Sequence, residues 1–218
     1  MVGVDERKVL RQLYINKLNG ITSAESVLTR QLEMSSNFLQ SLLSSLEEMG
    51  SIEVEASCTY NLTSNGRKQI SVVMTGGTYD ILHVGHLFTL EQARFLGDAL
   101  VVVLATDKTV KRLKNRLPAN KAQDRAQILE CLRTVDAVII GSETDFMKTV
   151  DLIDPDIIAI GYNQEEQEKE LYDKVSARGH SHVRIIRLKK YVPGKSTTKI
   201  MQDIINHSYR KNPEDDKN

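Results

Sequence analysis

Val72-Val73-Met74-Thr75-Gly76-Gly77-Thr78-Tyr79-Asp80-Ile81-Leu82-His83-Val84-Gly85-His86 is the stretch on which the fold of this 218-residue chain turns. An apolar run breaks at paired glycines, and two histidines then stand directly before the amphipathic segment Leu87 to Leu96. That order predicts a buried strand, a tight turn and a helix starting near Val84 to His86. Adjacent glycines let the backbone come close to a ligand. The helix start aims unpaired N–H groups and a positive dipole end into the same space, which suits phosphate. His83 and His86, at i and i+3 with Gly85 between them, can point side by side into one cavity. There they can donate hydrogen bonds to a phosphoryl group as charge builds on it. A bare His-x-x-His would favour a pair of partly buried histidines or half of a metal site; the full Gly-Thr-Tyr-Asp-x-x-His-x-Gly-His string behind a strand does not.

Downstream, the chain alternates. Ala99 to Ala105 is a continuous apolar run, followed by strand patterns at Asp136 to Ile140, Asp156 to Ile160 and, with basic interruptions, Val183 to Leu188. Helical patterns lie between them at Asp107 to Leu113, Ala122 to Leu132, Thr144 to Ile153 and Gln164 to Arg178. The expectation is an α/β fold: a Rossmann-like parallel five-stranded sheet with helices on both faces, wound by right-handed crossovers. Ligands then gather beyond the carboxyl ends of the strands, where strand order reverses, and the loops carrying His83, Asp107, Gly161 and Lys195 face that crevice. A nicotinamide dehydrogenase is disfavoured because no Gly-x-Gly-x-x-Gly exists, which leaves Asp107 as a helix cap.

Residues 1–70 differ in character. Asp5 to Lys17, Ser23 to Leu32 (capped by Thr22 or Ser23) and Ser36 to Met49 carry helical spacing; Gly50 stops the third helix. Ile52 to Glu55 and Cys58 to Leu62 alternate like a short hairpin. Helix, helix, helix, hairpin is the winged-helix order. The third helix contains no Lys or Arg, and the segment holds seven basic and eight acidic side chains. DNA binding is therefore open but not favoured over a docking or dimerisation module. The domains are expected at 1–70 and 71–209, with a polar, disordered tail at 210–218.

Net charge is zero, which points to neither nucleic acid nor a membrane surface. No apolar run approaches a membrane span, the N-terminus has no signal-peptide pattern, and Cys58 and Cys131 stand far apart. A cytoplasmic, reduced protein is expected. Two basic stretches then stand out. Lys108, Lys111, Arg112, Lys114 and Arg116 follow the second predicted strand, either as a solvated helix face or as neutralisation for a triphosphate. Tyr191-Val192-Pro193-Gly194-Lys195-Ser196-Thr197-Thr198-Lys199 sets a Pro-Gly turn before hydroxyls at the start of a last helix.

Gly77-Thr78-Tyr79-Asp80 and His83-Val84-Gly85-His86 resemble the His-x-Gly-His nucleotidyltransferase superfamily in its cytidylyltransferase-like branch, over about residues 72–208. The resemblance implies that His83, His86 and Lys111 are catalytic. It also implies that a nucleotide lies against Gly77, Thr78, Tyr79, His83, Val84, Gly85, His86, Lys114, Arg125, Asn163, Tyr191, Ser196, Thr197 and Thr198. For Arg125 ordinary helix surface is the competing reading, and for Asn163 a polar turn capping the next helix. Relatives often carry arginine where Tyr191 stands, so Arg187, Lys189 or Lys190 would have to supply that charge. Asp80 reads as a turn-stabilising acceptor rather than a metal ligand. A divalent ion, Mg by expectation, travels with the triphosphate rather than occupying a protein cage.

Between the signatures, Ala105 to Lys114, Ile153 to Ile158 and Asn163-Gln164 resemble archaeal FAD synthases, which implies ATP and FMN as substrates. Ser196-Thr197-Thr198-Lys199 is closer to CTP-dependent enzymes acting on glycerol phosphate or a similar alcohol phosphate. A nucleotide- or flavin-sensing transcriptional regulator is the reading from another class, and related enzymes imply a homodimer.

Overall fold

The structure is a computed structural model that describes residues 2–208; the expected tail lies outside the described residues. The N-terminal unit runs α1 (Val4–Leu18), α2 (Glu25–Leu32), α3 (Ser36–Glu48), β1 (Ile52–Val54), β2 (Tyr60–Leu62) and α4 (Ser64–Arg67). Gly50, in the left-handed region, follows the end of α3, and β1 and β2 pair antiparallel as expected. The cap of α2 is different from the expectation. Ala24 holds that position with no side-chain hydrogen bond, because Ala24 bridges to Thr59 and the Ser23 hydroxyl is taken by the buried Asn16 amide.

Next come β3 (Val72–Gly77), α5 (Val84–Arg94), β4 (Ala99–Leu104), α6 (Asp107–Lys114), α7 (Ala122–Glu130) and β5 (Ala137–Ile140). They are followed by α8 (Phe146–Ile153), β6 (Ile157–Ile160), α9 (Glu165–Ala177), β7 (Arg184–Arg187) and α10 (Thr197–Ser208). The five strands form one parallel sheet in the order β5-β4-β3-β6-β7, so β3 is central and the chain reverses direction of growth across it. The switch point therefore lies just beyond Gly77, where the glycine loop begins.

Side chains alternate across the sheet. Val73, Leu100, Val102, Leu104, Ile157 and Ala159 face one layer with Leu90, Ala93, Ala126 and Leu129 of α5 and α7. Val72, Met74, Val101, Val103, Ile158 and Ile160 face the other, with Val150 and Ile153 of α8. That second layer is continuous with Val9, Leu10, Leu13, Leu39, Leu43 and Leu46 of the N-terminal helices. Three aspartates that immediately precede strands complete the seam. Asp98 accepts the Ser71 amide, Asp136 the Leu100 amide and Asp156 the Val72 amide. Each also pairs with an arginine of the N-terminal unit: Arg7, Arg11 and Arg67 respectively. The N-terminal unit thus sits at the amino ends of the strands, opposite the edge where ligands gather.

Candidate active site

His83 caps α5 with extended backbone, and its side chain makes no capping bond. The amide of His86 bonds back to the His83 carbonyl, while the amides of Val84 and Gly85 stay available at the helix start. The two imidazoles stack face to face, centroids 3.8 Å apart and tilted by 23°. Close stacking leaves no room to charge both rings. Burial pushes His86 down to about 4, helped by His83 and by the Lys114 ammonium. His83 is lowered by burial and by Lys195. In both rings Nδ1 is buried without a partner among the described residues, which leaves Nε2 as the nitrogen for a ligand.

Packing explains the spacing of the motif. A Cβ on Gly85 would stand 3.0 Å from the His83 ring and 3.5 Å from the Lys195 carbonyl. A Cβ on Gly77 would lie 2.6 Å from the Tyr79 ring. Tyr79 itself takes a left-handed backbone (φ 47°) that buries its ring against His86, centroids 5.2 Å apart. Its ring supports the imidazole from beneath. Thr78 stays partly exposed.

The last helix arrives at the same place. Ser196 caps α10, its hydroxyl accepting the Lys199 amide, and the Thr197 hydroxyl reaches the Ile81 carbonyl at 3.4 Å. With Lys195 against Gly85, the start of α10 and the start of α5 converge, bringing hydroxyls, imidazoles and two positive dipole ends to one crevice. Ser196 and Thr198 remain exposed there.

Asp80 is buried and accepts hydrogen bonds from Arg116 (2.8 Å) and from the amides of Ala119 (2.7 Å) and Asn120 (3.2 Å). Burial alone would raise its carboxyl, but these donors hold it below the usual carboxylate range. Its oxygens are committed to the α6–α7 loop, which fits the turn-stabilising role. Neither Arg116 nor Asn120 was singled out for this from sequence, since nothing local links residue 80 to residues 116–120.

Arg125 is fully buried, against the surface reading. Its guanidinium donates to the carbonyls of Thr78 (2.5 Å) and Asn120 (2.9 Å) and to Asp107 (2.6 Å). Its nitrogens all donate to protein groups, so it ties the glycine loop to the start of α6. Asp107 is correspondingly not the helix cap; Thr106 is, accepting the Thr109 amide. Asp107, Lys111 and Lys114 share one face of α6. Lys114 is lowered mainly by burial, and Lys111 and Lys114 make no ion pair among the described residues, whereas Lys108 is drawn to Glu143.

At the ends of β6 and β7, Tyr162 and Tyr191 stack 4.2 Å apart, both half exposed. Gln164 folds back to accept the Gly161 amide at 2.7 Å, so Asn163 neither caps α9 nor is used by the turn. Arg187 is spent on Glu165 and Glu168 and does not supply the charge missing at Tyr191. Lys189 and Lys190 are exposed and without carboxylate partners among the described residues. Cys58 and Cys131 are free, and no described helix is long and apolar enough to cross a membrane.

A Rossmann-like sheet that presents two helix starts and a pair of uncharged imidazoles at its carboxyl edge defines a protein that handles phosphorylated ligands. Comparison narrows the class. The Cytidylyltransferase-like family profile matches residues 74–203, and the chain belongs to that family. A FAD synthase of Thermococcus kodakarensis is 46% identical over 142 residues, 64% of this chain and 94% of that protein. Another from Aciduliprofundum boonei is 46% identical over 119 residues, 55% and 78% of the two chains. Among solved structures, the lipopolysaccharide core biosynthesis protein from Thermoplasma volcanium GSS1 is 41% identical with a TM-score of 0.53, covering 56% of this chain and 99% of that one.

Proposed function

We propose that the protein is a FAD synthase, transferring AMP from ATP to FMN with release of pyrophosphate. The observation that carries this reading is identity of 40–46% to proteins of that name, spanning nearly their whole length in several cases. An oxygen of the FMN phosphate attacks the α-phosphorus of ATP in line. The new P–O bond forms as the bond to the β-phosphate bridging oxygen breaks, and pyrophosphate leaves with that electron pair. No covalent enzyme intermediate is needed.

His83 and His86 act as neutral donors through Nε2, strengthening their hydrogen bonds as charge moves onto the phosphoryl oxygens. The starts of α5 and α10, with the Ser196, Thr197 and Thr198 segment, hold the phosphate chain, and Lys111 and Lys114 offset its charge. Magnesium arrives as part of the ATP complex, with Asp80 committed elsewhere. Tyr162 and Tyr191, with Asn163, offer aromatic and polar contacts for a planar ring at the mouth of the crevice. We place the domain boundary at residue 70 and read the N-terminal unit as a base for the sheet. Its third helix exposes Asn37, Gln40, Ser41, Ser44, Glu47 and Glu48 and no cation, a poor surface for a phosphate backbone.

Pyrophosphate release with Mg-ATP that requires FMN, together with appearance of FAD, is the expected result. Release with CTP and glycerol phosphate instead would move the assignment to an alcohol-phosphate cytidylyltransferase. No release under either condition, with flavin or nucleotide binding intact, would make the protein a sensor.

A further inference from the structure

At the seam on the other end of the sheet, Asp154, His180 and His182 bring one ligand atom each to within 4.8 Å of one another. We propose that they bind one divalent transition-metal ion of the zinc class. Asp154 Oδ1 stands 3.9 Å from His180 Nδ1 and 4.0 Å from His182 Nε2. Donors around a tetrahedral ion with bonds of about 2.0–2.1 Å are separated by roughly 3.4 Å, so the two Asp154 distances need to shorten by only about half an ångström. His182 and Asp154 are more than half exposed and free to make that rotation.

What sets the cluster apart from a chance meeting of surface groups is the arrangement behind His180. Its other nitrogen, Nε2, lies 2.8 Å from Asp151 Oδ1, and Asp151 is itself held by Arg178 at 2.8 and 3.2 Å. A carboxylate fixed by a guanidinium accepts a hydrogen bond from Nε2–H, which favours the tautomer with Nδ1 unprotonated and turned toward Asp154. That is the tautomer and orientation a ligating imidazole needs. Two imidazoles and one carboxylate favour zinc, cobalt or nickel over magnesium, and three protein ligands leave a fourth position for water.

Asp154 also links the cluster to the N-terminal unit. Asp154 adopts a left-handed conformation (φ 48°) at the end of α8. Its carbonyl accepts a hydrogen bond from Arg67 of α4, and its Oδ2 lies 3.9 Å from Arg67 Nε. One residue thus faces the N-terminal unit with one oxygen and the two histidines with the other. A bound ion would tie the 180–182 turn to the residue on which α4 docks, and would stiffen the seam far from the catalytic crevice.

Titration of the full-length protein with ZnCl₂ against a competing chromophoric chelator, and with CoCl₂ followed by visible absorption, tests this. One equivalent should bind, with affinity falling at least tenfold in His182→Gln and in His180→Gln. Asp151→Asn should weaken binding about 10- to 100-fold through the lost partner of Nε2. His83→Ala should bind as wild type does, as should Cys58→Ser and Cys131→Ser, which separates the site from the crevice and from the thiols. Pyrophosphate release by His182→Gln should be unchanged, and zinc should raise the thermal midpoint of the wild type by more than that of His182→Gln. His182 is exposed, so its variant folds and decides the matter even if His180→Gln does not. Absence of one-to-one binding, or binding undiminished in His182→Gln, overturns the proposal.

Discussion

The two imidazoles share one environment, and burial lowers the pKa of both. His86 is the more deeply buried ring, and its pKa of about 4 lies below the ordinary 6.5, so it stays neutral through the physiological range. On acidification the unfolded chain takes up this proton first, so stability is independent of His86 above about 6.5 and is lost between 6.5 and 4. His86→Asn should remove that part of the slope in denaturant titrations at stepped pH. Activity should correspondingly show no acid limb from His86 until pH nears 4. Replacing either histidine by alanine should lower kcat on the order of 10²-fold, as for loss of one transition-state donor, with a smaller change in the KM for ATP. Equal loss in kcat and in ground-state nucleotide affinity would mean the rings only bind. Gly85→Ala meets no backbone penalty, yet its methyl would press on the His83 ring. Pyrophosphate release should drop more than tenfold while the melting temperature changes little.

Among the elements, the glycine loop, α6 and the α6–α7 loop are held as one piece by two buried charges of opposite sign. Asp80 fastens the loop around Ala119 and Asn120, and Arg125 joins Thr78 to Asp107. Arg125→Met leaves the Asp107 carboxylate and two carbonyls without their donor. It should cost about 3 kcal/mol, measured by urea unfolding, and activity should fall with the misplacement of Thr78 and Lys111. Arg125→Lys cannot restore three divergent bonds and should recover little. The motif from Gly77 to His86 was legible in sequence because its contacts are local: a turn, a helix start and a packing rule over a few residues. The roles of Arg116, Asn120 and Arg125 were not, because the partners that define them, Asp80 and Thr78, lie tens of residues away, and any of these side chains on a helix or loop looks like surface.

For the whole molecule, the decisive fact is that one apolar cluster runs from α1 and α3 through the sheet to α8. Two units sharing a core and three Arg–Asp pairs should unfold together. A single calorimetric transition is expected for the full chain, and two resolved transitions would show that the seam is weak. Arg11→Ala should destabilise by about 1–3 kcal/mol, since Asp136 is almost wholly buried and would keep only the more distant Arg94, at 3.7 Å, and the Leu100 amide.

Sequence by itself determined the five strands, their parallel order of winding and the crevice at their carboxyl ends. These depend on hydrophobic period and on glycine placement, both of which are written along the chain. It also showed a site suited to phosphate, since imidazoles, hydroxyls and helix starts appear as short runs, and the resemblance those runs carry supplied the class of chemistry. Only the tertiary structure decided that Tyr79 lies under an imidazole, that Arg125 binds protein, that Arg187 answers to α9, and that the N-terminal unit closes the opposite end of the sheet. Those outcomes depend on which distant groups meet once the sheet is assembled, and a buried charge takes whatever partner the packing brings to it.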